Sequence, residues 1–262
     1  MSLAAARLAE SLGMQREDHM REPWNDFLSA VTEARGQLGN PQVVWYRGHS
    51  DASWALLPTL FRLPSGVDGV KLEKRAFQEF KRTASRLFDR RHSDWEILFD
   101  MQHYWVPTRL LDWSEVLGIA VAFILHNEYG RVEDSALFVL DPLGLNKLSG
   151  ISEVKSIPDD PTFDYRAIYW DKKPFAAQHP IAIIPPMQTD RVFAQRGVFT
   201  IHGDDPTALE QQCPNVVKRI VLKKEAKAAA REFLEHANLD EYSVFPDIVG
   251  MSRHLRRKIF EC

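Results

Sequence analysis

Gln102-His103-Tyr104-Trp105-Val106-Pro107-Thr108-Arg109-Leu110-Leu111-Asp112-Trp113-Ser114 is the stretch whose reading decides the fold, because it sets charges among large apolar residues around a helix-breaking proline. Arg109 and Asp112 stand three apart beside Leu110, Leu111 and Trp113, where an unpaired charge is costly. One reading pairs Arg109 with Asp112 to hold the fold; the other turns the charges into a pocket. Either way Asp112 is expected to be largely buried, accepting from an arginine or from backbone amides. Upstream, Ser93-Asp94-Trp95-Glu96 has the Ser-x-x-Glu form of a capping box and predicts a helix running to about Tyr104. Downstream, Ser114 is a candidate cap for a helix from Glu115 to about His126, whose Ala120, Ala122 and Phe123 suit close packing.

Two further islands have the same character, Trp45-Tyr46-Arg47-Gly48-His49 and Arg191-Val192-Phe193-Ala194-Gln195-Arg196-Gly197-Val198-Phe199. Convergence of the three on one pocket would place Arg47, Asp112 and Gln195 in a single cleft. The plainer alternative is that Arg47 pairs with Asp112 and no ligand is involved.

Working outward, Pro23 opens a helix with Trp24, Phe27, Leu28 and Val31 on one face, after a weaker one over residues 3–20. Val43–Tyr46 reads as a short buried strand that delivers Arg47 at its end. Leu72, Ala76, Phe80, Ala84, Leu87 and Phe88 mark one face of a long helix. Its other face carries Lys71, Lys74, Arg75, Lys81, Arg82 and Arg86, which is either a solvated face or, with Arg90 and Arg91, a nucleic-acid contact. Strands are expected at Ala136–Leu140, Ile181–Ile184, Val198–His202 and Val216–Leu222, and closing helices at Lys224–Ala237 and Asp247–Ile259. Residues 143–180 look least regular. Strands that cluster late predict an α+β fold, a single domain with a mixed, mostly antiparallel sheet core flanked by helices.

Composition narrows the class. At 262 residues, with 45% hydrophobic and 26% charged residues, the chain can bury a full core. A net charge of −3 gives no global pull toward nucleic acid or membrane. The first residues lack the apolar core of a secretory signal, and no run is long enough to span a bilayer. With Cys213 and Cys262 the only cysteines, a reducing cytoplasm is the expected setting. No Cys/His cluster has zinc spacing, so no metal is expected.

Tyr46-Arg47-Gly48 with Leu57-Pro58-Thr59-Leu60-Phe61-Arg62, Gln102-His103 followed by Pro107-Thr108-Arg109-Leu110-Leu111-Asp112-Trp113, and Arg191 with Gln195, Gly197 and Phe199 together resemble the FRG domain family, named for its Phe/Tyr-Arg-Gly motif. Phe245-Pro246-Asp247 before the last helix fits as well. The resemblance implies an N-terminal helical extension over 1–22 and an FRG-like domain over 23–262, with 143–180 an insertion or lid. The chain departs from the family at Trp105, where a small residue, often Gly, stands two before the proline, and at Ser114, where Thr is common.

The family's motif order is in turn similar to that of ADP-ribosyltransferase folds. This implies a substrate NAD, with Gln195, Asp112 and His103 as catalytic candidates. Arg47, Tyr46, Gly48, Arg109, Trp113, Ser114, Arg191 and Phe199 are the ligand-binding candidates. Arg47 would bind the pyrophosphate, and Tyr46, Trp113 or Phe199 would give the nicotinamide an aromatic platform. Cleavage of the glycosidic bond builds positive charge that a carboxylate normally meets, and Gln195 is neutral, leaving Asp112 or Glu115 to serve. The resemblance implies an effector in bacterial toxicity or phage defence. The alternative is a non-catalytic module that binds a nucleotide or nucleic acid through the same pocket or through the basic helix over 71–91, with a protein acceptor as a further candidate partner of that helix.

Overall fold

The computed structural model describes residues 21–84, 87, 93–126, 133–157, 162–186 and 189–260. The helix expected over 3–20, and Arg86, Phe88, Arg90, Arg91 and Cys262, lie outside them. In chain order the elements are α1 (21–37), β1 (Trp45–His49), α2 (Gly69–Ala84), α3 (Asp94–His103), β2 (Leu110–Ser114) and α4 (Leu117–His126). There follow β3 (Ser135–Leu140), α5 (Pro142–Leu148), β4 (Lys155–Ser156), α6 (Tyr165–Tyr169), β5 (Ile181–Ile184) and α7 (Asp190–Gln195). The chain continues through β6 (Gly197–Ile201), α8 (Leu209–Gln212), β7 (Val217–Leu222), α9 (Lys227–His236), α10 (Glu241–Val244) and α11 (Ile248–Phe260). The fold is α+β. It resolves into two compact units, each drawn from separated stretches: the chain up to Trp54 with Val116–Val139 and everything from Lys218, and then Ala55–Glu115 with Leu140–Val217.

In the first unit β1, β3 and β7 lie side by side in that order. Trp24, Phe27 and Val31 of α1 are buried as their spacing predicts, in a core shared with Val121 and Ile124 of α4, Leu137 and Val139 of β3 and Leu222 of β7. The first strand runs later than expected, so Arg47 sits in its middle and not at its end. Gly48 is there for space: a Cβ on it would stand 2.1 Å from the Ala120 carbonyl oxygen and 2.7 Å from Ile124 Cγ1. The glycine of the Tyr-Arg-Gly motif is therefore what lets α4 press onto β1.

The second unit orders its strands β4-β5-β6-β2. The β2/β6 and β5/β6 pairs are antiparallel and β4/β5 is parallel, so this sheet is mixed and mostly antiparallel. Residues 143–180, expected as an insertion or lid, contribute Ile157, Phe163, Tyr165, Ile168 and Tyr169 to its core. These five are interior: Phe163 and Tyr165 pack with Trp95, and Tyr165 also with Phe77.

Arg109 lies inside this unit with no exposed side-chain surface, and its ion pair is with Glu73, also fully buried, not with Asp112. Nε donates to both Glu73 carboxylate oxygens at 2.9 Å and Nη2 to Oε2 at 2.5 Å. Nη1 donates to the carbonyls of His202 at 2.9 Å and Gly203 at 3.3 Å, and to Asp204. Burial works against the charged guanidinium, but the carboxylate of Glu73 outweighs it and holds the arginine's pKa above its ordinary value. To reach Arg109, α2 buries Glu73, Phe77 and Ala84, which turns the expected inner face by about one residue and leaves Leu72 exposed. Glu73→Ala or Arg109→Ala should each cost about 3–5 kcal/mol, since either strands the other charge in the interior. The pair replaced together by Leu and Met should recover most of that loss in denaturant titrations; a single variant within 1 kcal/mol of wild type, taken as roughly the limit for a surface pair, would refute the account.

Candidate functional site

The islands Gln102–Ser114 and Arg191–Phe199 meet in the second unit. Along the β2/β6 ladder Asp112 faces Phe199 and Ser114 faces Gly197. Ser114 Oγ donates to the Gln195 carbonyl at 2.7 Å, and the Glu115 amide donates to that of Arg196 at 3.3 Å. Ser114 thus fastens the start of β6 to the end of β2 instead of capping a helix, and α4 begins only at Leu117. Gln195 closes the short helix α7 and is not on a strand; Arg196, at φ 43°, makes the turn into β6.

Asp112 is the one exposed residue of β2, between buried Leu111 and Trp113. Its Oδ2 accepts from Gln102 Nε2 at 2.8 Å. Gln102 Oε1 in turn accepts from Thr108 Oγ1 at 2.5 Å, and the Leu110 amide donates to that hydroxyl at 3.1 Å. The expectation of a largely buried Asp112 is overturned: the residue is exposed, and Arg109 is held by Glu73. What remains is a surface carboxylate whose orientation is set by an amide that is itself fixed.

The rings expected as platforms are interior. Tyr46 is buried, with its hydroxyl accepting from Arg35 at 3.1 Å. Trp113 is buried and donates Nε1 to Thr200 Oγ1 at 3.1 Å, and that hydroxyl meets His202 Nε2 at 3.1 Å. Phe199 is buried and stacks on Phe99 with centroids 5.3 Å apart. Large apolar surface is worth more inside the sheet layers than at a rim, so the motif aromatics became core. His103 ends α3, half-buried and edge-on to Tyr104 at 4.8 Å, and Arg191 sits half-buried in the first turn of α7.

In the first unit, Arg47 Nε donates to His49 Nε2 at 3.1 Å, and His49 Nδ1 lies 3.3 Å from the Trp54 carbonyl oxygen. An acceptor role for Nε2 places the proton on Nδ1 and leaves the ring neutral. His49 is buried edge-on to Phe138 at 5.1 Å. Two residues apart on a strand means one face, and that spacing is the signal for this partnership. On α2, Lys71 pairs with Asp68 at 3.4 Å, Lys81 with Asp94 at 2.8 Å and Arg82 with Glu79 at 2.6 Å, so acids interrupt the basic face. Among the described residues no cluster of His, Cys, Asp or Glu has an arrangement that would hold a metal ion, and no helix is long and apolar enough to cross a membrane.

The chain leaves α3 through a Schellman turn. Val106 N–H bonds to Met101 O at 2.9 Å and Trp105 N–H to Gln102 O at 3.2 Å, with Trp105 at φ 59°. Glycine is the usual residue at that left-handed position, and the small residue that the resemblance leads one to expect here is a backbone requirement. Trp105→Gly should raise stability by about 1 kcal/mol, because the left-handed conformation costs an L-residue roughly 1–2 kcal/mol. Asp112→Ala, in contrast to the interior pair, should shift unfolding by less than about 1 kcal/mol. Chemical denaturation reads both, and a large loss at either position would contradict the surface placement.

Residues 42–131 match the model of the FRG domain family. No curated protein and no solved structure matches the chain. The match takes in Arg47 on β1, the Pro107–Trp113 block with Asp112, and Ala120–Phe123 of α4, and it stops short of Gln195. The chain carries, over residues 42–131, an FRG domain.

Proposed function

We propose that the second unit binds a nucleotide such as NAD as substrate and presents Asp112 to its glycosidic bond, in transferase- or glycohydrolase-type chemistry. The supporting observation is the exposed Asp112 carboxylate, aligned by Gln102 and Thr108 on a strand whose other residues are buried. Such a carboxylate offsets the charge that develops at the ribose C1′ as the C1′–nitrogen bond breaks and its electron pair leaves with nicotinamide. A water or acceptor hydroxyl then adds to C1′ and loses its proton to the carboxylate or to solvent. Ser114 and Gln195 belong to the same edge, where the Gln195 amide is suited to orienting a ribose hydroxyl. Arg47, in the first unit, is proposed separately as a phosphate ligand, and Arg47→Lys should weaken phosphate binding there by roughly 10- to 150-fold because the guanidinium fork is lost. The resemblance adds the setting, an effector in bacterial toxicity or phage defence.

The neutral Gln195 favours a second reading, a module that binds a nucleotide or nucleic acid and performs no chemistry. A titration with NAD followed by assay of released nicotinamide separates the two. Under the first reading wild type releases nicotinamide slowly, Asp112→Asn binds NAD but turns over on the order of 100-fold more slowly, and Gln195→Glu is faster than wild type. Binding with no release at all leaves the module. Failure to bind any nucleotide at millimolar concentration removes both nucleotide readings.

A further inference from the structure

We infer that Trp105 is a stacking surface for the heteroaromatic ring of a nucleotide held at Asp112, an inference that rests on the nucleotide-binding reading above. Three observations converge on it. Trp105 occupies the left-handed position of the Schellman turn, at φ 59°, where its backbone is strained and glycine would not be. Its side chain recovers nothing for that strain within the fold: the residue is 79% exposed, and among the described residues no ring packs against the indole. A residue that is both strained and unpacked is best explained by something outside the fold.

The third observation is position. The Trp105 amide is hydrogen-bonded to the carbonyl of Gln102, the residue whose side chain holds Asp112. Trp105 thus follows directly on the helix end whose glutamine holds the carboxylate, with the exposed Tyr104 before it in the chain. Tyr46, Trp113 and Phe199, the rings expected to serve as platforms, are all committed to cores. Indole is the largest π-face a side chain offers, and it accepts any planar base without reading its identity. The chemistry recognised is a base or nicotinamide ring, joined to a ribose.

The test uses the full chain, with NAD, AMP and ribose 5-phosphate as probes, the last lacking any ring. Trp105→Gly should weaken NAD and AMP binding by roughly 5- to 150-fold, the worth of one stacked base. It should leave ribose 5-phosphate binding unchanged, and Trp105→Phe should restore most of the loss. Equal AMP affinity in wild type and Trp105→Gly overturns the inference while leaving the nucleotide reading intact. So does a loss of ribose 5-phosphate binding as large as that of AMP, which makes Trp105 a shaper of the loop. If wild type binds neither NAD nor AMP, the underlying reading has failed, and this inference with it.

Discussion

The buried Arg109–Glu73 pair is the constraint on which the second unit is organised. Two charges taken from water demand near-complete hydrogen bonding, and the supply has to come from several directions at once. Glu73 arrives from α2, the carbonyls of His202 and Gly203 from the chain after β6, and a Tyr169 ring from α6 lies 5.1 Å from the guanidinium. The His202 amide closes the arrangement by donating back to the Arg109 carbonyl at 3.0 Å. Asp204 is drawn in as well: burial raises its pKa, but Lys172 and Arg109 outweigh that and leave it lowered. Helix rotation, strand ending and loop path all follow from satisfying one guanidinium.

That commitment also frees the site. With Arg109 spent on Glu73, Asp112 stands exposed on β2 and accepts from Gln102. Two charges three residues apart thus do opposite work, one holding the unit together and the other facing solvent. The polar group that fixes Asp112 comes from the end of α3, and the same end supplies the strained Trp105. Structural economy and the candidate chemistry meet at a single helix terminus.

Much of this was readable from the residues. Ser93-x-x-Glu96 caps α3 in both directions, with Glu96 N–H to Ser93 Oγ and Ser93 N–H to Glu96 Oε2, because the motif needs only local backbone geometry. The runs Ile181–Ile184 and Ala136–Leu140 were equally plain, being apolar stretches bounded by breakers, and the second strand begins one residue earlier, at Ser135. The pairing of Arg109 was not legible. Its nearest acid in sequence is Asp112, whereas the true partner is 36 residues upstream, and only a long-range contact settles that choice. A trace did exist: Glu73 stands four residues before Phe77, on what becomes the apolar face of α2. Nor could the sequence say which aromatics would be core, since Trp113 and Trp105 differ in backbone conformation and not in residue type.

The family match and the architecture cut the molecule along different lines. Residues 42–131 take β1 and α4 from one unit and α2, α3 and β2 from the other. They omit α9, which packs on α4, and the His202–Gly203 carbonyls that cradle Arg109. The unit holding Arg47 needs chain from both before Trp54 and after Lys218, so during synthesis it must wait for the last helices, while the unit holding Asp112 has all its residues by Val217. The matched segment is therefore not an autonomous folding piece. In the order of translation, the unit carrying Asp112 has its full sequence before the unit carrying Arg47 does.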